Sequence, residues 1–205
     1  MMTTSNTTSR RRVLGGMVVG APLLALAPAT TAAAAVSTDT PNDADIGFLK
    51  DMSAHHIQAL TMCERVLGRD TGGAVQSAAT EVLRNQAFEV GMMRAWLADW
   101  GESTKSPELV MGWMGMHDGH GMALAMMPGY ATDEELFELA TADGMERGRM
   151  WLELMRAHHV GGVTMADAAI ELAATDKVLR LAETQSRTQS FEIAQYDQLL
   201  ETTYA

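Results

Sequence analysis

The sequence predicts an all-α protein: a ferritin-like four-helix bundle built from two repeated helical hairpins that a long crossover joins. Two segments, FLKDMSAHHIQALTM at residues 48–62 and WLELMRAHHVGGVTM at residues 151–165, share seven residues, each displaced by 103 positions. The same displacement relates NQAFEVGMM at residues 85–93 to TQSFEIAQY at residues 188–196. Because one offset holds for both helices of each pair, the repeated unit is a helical hairpin, and two hairpins with a long connection give this topology. No segment shows a convincing alternation of apolar and polar residues typical of a strand.

The first hairpin is predicted to occupy residues 43–101. Asn42 or Asp43 caps its first helix by accepting free backbone N–H groups, and Gly68 ends that helix. The second helix is predicted to run from about residue 74 to residue 100 and to end at a glycine.

The crossover is predicted at residues 102–144, a stretch rich in Gly, Met and His. Within it, Thr132 and Glu135 form a capping box, which predicts a short helix that ends near Ala142. The second hairpin is predicted at residues 145–204.

The first helix of the second hairpin, at about residues 145–174, contains the adjacent pair Gly161 and Gly162. Each glycine costs a helix roughly 1 kcal/mol relative to alanine. That cost predicts either a close approach of another element or space left for something. The last helix is predicted at about residues 175–202.

The N-terminus carries the pattern of an export signal. In residues 1–35, the arginines at 10–12 precede a weakly apolar run and a small-residue stretch that fits cleavage after Ala35, as in a twin-arginine-type signal peptide. A mobile tail at residues 36–42 then precedes the domain at residues 43–204. We expect a soluble, exported protein, extracellular or periplasmic, without membrane insertion after cleavage. The net charge of −11 gives no electrostatic case for nucleic acid and favours cations.

Each hairpin places a His pair within an apolar helix face. At 100° per residue, His55 shares its face with Met52 and Met62, while His56 lies at the edge of that face. A single buried His is more often a hydrogen-bonded core residue than a ligand, but two duplicated pairs between methionines favour a metal site. A purely structural buried network is the alternative. The candidate ligands in the helices are His55, His56, Met52, Met62, His158, His159, Met155 and Met165.

Carboxylates on the partner helices form the second part of this candidate site. Glu89 and Glu192 lie at the edges of apolar stripes that also contain Gln86 and Gln189. Buried polar side chains need partners, because an unsatisfied one costs about 1–3 kcal/mol. We therefore expect these side chains to contact the histidines, where a carboxylate fixes the imidazole tautomer and strengthens it as a ligand.

The crossover segment at residues 111–127, MGWMGMHDGHGMALAMM, is a second candidate site. Thioethers select soft ions such as Cu(I), and imidazole suits copper in general, so the segment predicts copper capture. The alternative is that its methionines pack the crossover onto the helices. The lone Cys63 excludes an intrachain disulfide and is either a soft ligand or a small buried side chain. The candidate ligands of the segment are Met111, Met114, Met116, His117, His120 and Met122.

These paired segments resemble the motifs of the domain-of-unknown-function family 305 over about residues 43–202. The resemblance implies a ferritin-like, exported protein, and it supplies the link to copper, because members of the family are implicated in copper binding and tolerance. Two departures stand out. Residues 195–196 read Gln-Tyr where residues 92–93 read Met-Met, and Gly148 stands where the first half has Asp45.

The sequence thus predicts an exported metal-binding protein that sequesters or relays copper or confers copper tolerance, with Cu(I) favoured and Cu(II) acceptable. A binding role is favoured over an enzymatic one, so no catalytic residue is assigned. One alternative is a ferritin-like iron or manganese dimetal oxidoreductase, although the chain has no E-x-x-H motif. Another is a metal-free helical interaction module with a pH-sensitive His core. A copper-transfer partner protein and a homo-oligomer are both compatible with the sequence.

Overall fold

The chain folds into two helical hairpins with a shorter helix between them. The computed structural model describes residues 40–205, so the predicted signal at residues 1–35 and most of the predicted tail at residues 36–42 lie outside the described part. The predicted mainly helical fold is confirmed, and each predicted helix boundary lies within two residues of the observed one. The five helices are α1 Asp43–Val66, α2 Gly73–Asp99, α3 Asp133–Thr141, α4 Gly144–Leu172 and α5 Asp176–Glu201.

Each hairpin packs its own two helices together, α1 against α2 and α4 against α5, and the hairpins meet mainly through α1 and α4. The helices α2 and α5 approach each other less closely and leave a cleft between them. No helix in residues 40–205 combines the length and apolar character needed to cross a bilayer.

Two buried apolar clusters fill the interior. The first cluster contains Phe48, Met93 and Leu97, and the second contains Val66 and Trp151. These residues recur at helical spacing along their helices, so each helix buries one stripe. The clusters lie toward opposite ends of α1, and the His55-His56 pair lies between them.

The start of α1 is tied to the start of α5 by one carboxylate. Asn42 and Asp45 form a capping box at the start of α1. The fully buried Asp45 also accepts hydrogen bonds from the backbone N–H groups of Ala174 and Thr175 and from the Thr175 hydroxyl. This one side chain therefore satisfies backbone donors that a helix start otherwise leaves free.

At the opposite end of the molecule, a glycine and a tyrosine occupy the corresponding place. We call two residues equivalent when they are 103 positions apart, and Gly148 is equivalent to Asp45. A Cβ on Gly148 would overlap the Thr71 carbonyl oxygen and the Tyr204 ring. The Tyr204 hydroxyl donates a 2.6 Å hydrogen bond to that same carbonyl. The departure from the repeated pattern at Gly148 thus follows from close packing.

The crossover contains two short strands, β1 Leu109–Val110 and β2 Met122–Ala123, which pair antiparallel. The sequence pattern did not predict them, because two residues are too few to show alternation. The turn between them includes three non-glycine residues with positive φ, namely Met111 at 63°, His117 at 49° and Asp118 at 55°. Such backbone is uncommon outside glycine and is held by its surroundings.

Side chains of α1 hold the crossover in place. Asp51 accepts hydrogen bonds from the Met111 backbone N–H at 2.6 Å and from the Trp113 indole at 2.8 Å. Further along, Gln58 makes two hydrogen bonds with the backbone of Ala131, at 2.6 and 2.8 Å. The crossover is therefore an ordered layer over α1.

The Gly161-Gly162 pair makes room for two neighbours, as its helical cost predicted. A Cβ on Gly161 would overlap the Pro128 carbonyl oxygen of the crossover, and a Cβ on Gly162 would overlap the side-chain oxygen of Gln189 on α5. Glycine at these two positions is thus required by close approach.

Candidate metal site

The inner histidines lie where α1 crosses α4. The rings of His55 and His158 stack with centroids 3.5 Å apart and planes inclined by 22°. Nε2 of His158 lies 2.9 Å from the His55 carbonyl oxygen, so this nitrogen donates its hydrogen to that carbonyl. Both side chains are fully buried. The helix crossing thus brings the two repeated histidines into direct contact.

The outer histidines each contact a carboxylate of the neighbouring helix in the same hairpin. Nε2 of His56 lies 2.7 Å from Oε2 of Glu89, and Nε2 of His159 lies 2.7 Å from Oε2 of Glu192. The expected contact between these carboxylates and the histidines is therefore present in both halves. A carboxylate at Nε2 places the imidazole hydrogen there and leaves the lone pair on Nδ1.

The remaining ring nitrogens have no partner. Within residues 40–205, the Nδ1 atoms of all four histidines are buried without a hydrogen bond. Nε2 of His55 lies on the side of the Pro128 carbonyl. An unsatisfied buried polar atom costs about 1–3 kcal/mol, so four unpaired imidazole nitrogens in one layer are unusual. A free imidazole lone pair is the group that binds a metal ion, so these atoms fit a metal site chemically.

Electrostatics keeps the inner histidines neutral. Burial, and then the proximity of the other imidazoles, holds the pKa of His55 and of His158 well below 6.5. Burial alone would raise the pKa of Glu89, but hydrogen bonds from His56 and Gln185 outweigh it and leave this pKa below 4.5. At neutral pH the layer therefore contains uncharged inner imidazoles beside an ionised carboxylate, which suits a cation.

The methionines of the predicted helix site fall into two groups. Met52 and Met165 belong to the first apolar cluster, and Met62 and Met155 belong to the second. The histidines lie between Met52 and Met62 along α1, so the histidine layer has a pair of buried methionines on each side. One ion cannot bind methionines on both sides, because ligand bonds are only about 2.0–2.4 Å long.

The lone cysteine is a buried thiol of the second cluster. Cys63 is fully buried, and burial is the main cause that raises its pKa to about 12. A thiol ligand binds a metal as the thiolate. The apolar surroundings of Cys63 therefore favour the small buried side chain over the soft ligand.

The candidate ligands of the crossover are divided between the core and the surface. Met111 is buried in the first cluster, and Met114 and Met122 pack against that cluster. Met116, His117 and His120 are exposed. The structure thus brings the first three against the helices, as the packing alternative expected, and leaves the other three at the surface.

Acidic and imidazole groups alone do not form a complete ion cage in the described part of the chain. Within residues 40–205, no three His, Cys, Asp or Glu side chains are grouped so that they could hold one ion. A metal in the histidine layer therefore needs thioether ligands as well. A dimetal centre of carboxylates and imidazoles receives less support from this geometry.

Comparison with known proteins identifies the family. A family model described as "Domain of unknown function (DUF305)" matches residues 45–200. The chain belongs to the DUF305 family. No curated protein matches it by sequence.

Solved structures share the fold of this DUF305 protein. A DUF305 protein from Streptomyces coelicolor, described as secreted, is 39% identical with a TM-score of 0.70, covering 77% of this chain and 92% of that one. CopM in the Cu(II)-bound form is 31% identical with a TM-score of 0.60, covering 78% of this chain and 97% of that one. CopM in the Cu(I)-bound form is 25% identical with a TM-score of 0.61, covering 78% of this chain and 98% of that one.

The two halves of the DUF305 chain differ at one buried residue that the sequence did not single out. The side-chain nitrogen of Gln185 donates a 2.7 Å hydrogen bond to Oε2 of Glu89 and lies 3.3 Å from Nε2 of His56. Its equivalent in the first half is Val82. The sequence did contain a signal for this contact, because Gln185 is a polar residue at a position of the apolar stripe of α5.

The two glutamines that were expected to contact histidines are placed differently. Gln86 and Gln189 lie in a small polar notch between α2 and α5, together with Glu89, Glu192 and Gln185. The side-chain oxygens of all three glutamines are buried without a hydrogen-bond partner within residues 40–205. The notch therefore leads from the cleft to the carboxylates that hold the outer histidines.

Proposed function

We propose that this DUF305 protein is an exported metal-binding protein that sequesters or relays copper, with Cu(I) preferred. The observation that carries the proposal is the layer of four buried imidazoles whose Nδ1 atoms lack partners. CopM has been solved with Cu(I), with Cu(II) and with Ag, which supports a copper-group ion in a related fold.

The ligands of the proposed site come from both hairpins of a ferritin-like four-helix scaffold. Imidazole Nδ1 atoms supply nitrogen, and either Met52 with Met165 or Met62 with Met155 supplies sulfur. Thioether sulfur selects soft Cu(I), whereas imidazole nitrogen accepts both oxidation states of copper. The proposed ligand nitrogens belong to His55, His56, His158 and His159.

The carboxylates act on the ligands. Glu89 and Glu192 hold Nε2 of the outer histidines at 2.7 Å, which directs each Nδ1 lone pair away from the carboxylate. Each carboxylate also supplies negative charge beside a bound cation, which compensates for burial of the ion.

The exposed part of the crossover is the proposed first contact for the ion. Met116, His117 and His120 lie on the surface, while the helix ligands are buried. In the exported protein, these residues capture copper weakly before it reaches the histidine layer or passes to a transfer partner. Tight retention is assigned to the buried layer, because water and competing ligands are excluded there.

An anaerobic Cu(I) titration against a chromophoric chelator tests the proposal. The chain from residue 36, the form expected after cleavage, is compared with His55→Ala/His158→Ala and with Met116→Ala/His117→Ala/His120→Ala. We expect competition to be lost in the first variant and kept in the second, with far-UV circular dichroism confirming that both fold. Loss only in the second variant would move the tight site to the crossover. No competition by the unmodified chain would rule out copper handling.

Thermal stability separates metal binding from the metal-free interaction module. An ion that binds only the folded state stabilises it by about 2.7 kcal/mol when the free ion concentration is 100 times the dissociation constant. We expect Cu(I) to raise the Tm and the chelator to restore it. A Tm unaffected by both would favour a purely structural His core.

A further inference from the structure

The cleft between α2 and α5 contains two grooves, one on each side of the polar notch. The first, which we call the aromatic groove, has a volume of about 550 Å³ and is open to solvent. The second, which we call the plain groove, has a volume of about 440 Å³. The aromatic groove is lined in part by Phe88, Met92, Trp96, Lys177, Arg180 and Leu181.

The two grooves are built at equivalent positions. The residues equivalent to Trp96 and Met92 are Leu199 and Gln195, and the residue equivalent to Lys177 is Ala74. Arg180 and Leu181 are likewise matched by Ser77 and Ala78, which also line the plain groove. Since the plain groove folds with leucine, alanine and serine at the positions equivalent to Trp96, Lys177 and Arg180, the scaffold itself does not require the tryptophan and the two cations.

Phe88 and Arg180 are exposed side chains of the aromatic groove, while Met92, Trp96 and Leu181 form its floor against the first apolar cluster. Phe88 is 71% exposed. The ammonium group of Lys177 lies 4.2 Å from the Trp100 ring centroid and 5.4 Å from the Trp96 ring centroid, so aromatic rings hold this cation at the groove. Arg180, also exposed, lines the same groove. An apolar floor with two cations is thus presented by a chain whose net charge is −11.

We propose that the aromatic groove is a docking site for an acidic segment of a partner protein that carries an apolar side chain. The apolar side chain packs on Phe88, Met92 and Trp96, and flanking carboxylates pair with Lys177 and Arg180. Trp and Arg are the residue types that contribute most at protein interfaces. The lining carries two cations against one carboxylate, Glu89, which His56 and Gln185 already hold. Arg180 also lies 3.7 Å from Asp176 in an exposed ion pair, which a docked carboxylate would share or replace. This excess of positive charge attracts an acidic segment that the rest of the acidic chain repels.

The dimensions of the groove fit a short extended segment. Its lining runs from Asn85 to Trp96 on α2 and from Lys177 to Thr188 on α5. Eleven helical rises correspond to about 16 Å, which an extended peptide of about five residues spans. Glu89 also lines the groove, so a docked segment lies next to the carboxylate that holds His56. The docking does not depend on the identity of any metal.

A grafting experiment tests the proposal. The variant Trp96→Leu/Lys177→Ala/Arg180→Ser gives the aromatic groove the residues found at the equivalent positions of the plain groove. The probe is a fluorescent peptide that alternates glutamate with phenylalanine and leucine, and binding is followed by anisotropy with the chain from residue 36. We expect saturable binding by the unmodified chain and at least about tenfold weaker binding by the variant.

The matched control also removes two positive charges, one from α2 and one from α5. Arg84→Ala/Arg187→Ala deletes two exposed arginines at equivalent positions outside both grooves, and we expect its affinity to be unchanged within about twofold. A peptide with lysine in place of glutamate should not bind. Equal losses in the graft and the control would show nonspecific attraction and overturn the proposal.

The reciprocal graft provides a second test that does not require the first variant to fold. Ala74→Lys/Ser77→Arg/Glu81→Thr/Leu199→Trp transfers the aromatic and cationic residues to the plain groove and removes its carboxylate, since the residue equivalent to Glu81 is Thr184. We expect this variant to bind a second peptide. Unchanged stoichiometry in this folded variant would count against the proposal. Failure of the unmodified chain to bind the peptide at about 1 mM would also count against the proposal. Binding of anionic lipid vesicles that the peptide does not displace would count against it as well.

Discussion

Acidification is expected to destabilise the metal-free protein, because His55 and His158 are buried as neutral rings. Their pKa is near 6.5 in the unfolded chain and well below that in the fold. Below pH 6.5 the unfolded chain binds protons that the folded chain does not, so the free energy of unfolding falls as pH falls. Between pH 7 and pH 5 this linkage amounts to at most about 2 kcal/mol per histidine, the limit reached when the folded ring takes up no proton in that range. For both histidines together, that limit is a large part of a typical stability of about 5–15 kcal/mol.

The assay is urea unfolding at pH 7, 6 and 5 in the presence of a chelator, with His55→Gln/His158→Gln as the comparison. Other titrating groups, such as Asp51, are common to both proteins, so the difference between the two pH profiles isolates the inner histidines. We expect the variant to lose less stability than the unmodified chain between pH 7 and pH 5, by up to about 4 kcal/mol. Parallel profiles would refute the conclusion that these rings are held neutral. If the double variant does not fold, each single variant should show about half of the effect.

Three further predictions concern the crossover, a glycine contact and the carboxylates. Burial raises the pKa of Asp51 from 3.8 to about 6, so its contribution to stability is present below pH 3.8 and is lost as pH rises through about 6. The loss is about 3 kcal/mol. Asp51→Asn should remove this part of the pH profile, and an unchanged profile in urea unfolding would contradict the assignment. Gly161→Ala should destabilise the fold by about 1–3 kcal/mol because its Cβ would meet the crossover backbone. Gly91→Ala, in open space on α2, should stabilise it by up to about 1 kcal/mol; equal effects would argue against the close contact. Glu89→Gln should weaken Cu(I) affinity roughly 10- to 100-fold in chelator competition, whereas Glu183→Gln on the exposed face of α5 should not, and identical affinities would remove the carboxylate from the site.

The sequence predicted the helices well because the ends of a helix depend on residues that are close together in the sequence. The capping box at Thr132 is formed as predicted, and of the two candidate caps of the first helix the structure uses Asn42, which forms a capping box with Asp45. Each box needs only side chains and backbone three residues apart. The contact of His56 with Glu89 was also predictable, because both lie within one hairpin and recur together at the same offset.

Contacts between the hairpins were not predictable in the same way. The stacking of His55 on His158 and the insertion of the Pro128 carbonyl at Gly161 depend on how two distant segments cross. Helical periodicity gives the face of each helix but neither its crossing angle nor its register against another helix. The role of Gln185 was missed for a related reason, since its partner Glu89 lies on the other hairpin.

By itself, the sequence determined a mainly helical chain of two similar hairpins, each with a buried His pair and a carboxylate within reach. These features arise from local capping, from periodicity and from one constant offset. Only the tertiary structure decided that the histidines form a single layer with methionines on both sides. Only it showed that the cleft between α2 and α5 has an aromatic groove and a plain groove. Both results depend on packing between segments about a hundred residues apart, where burial and close contact select one register that no local pattern specifies.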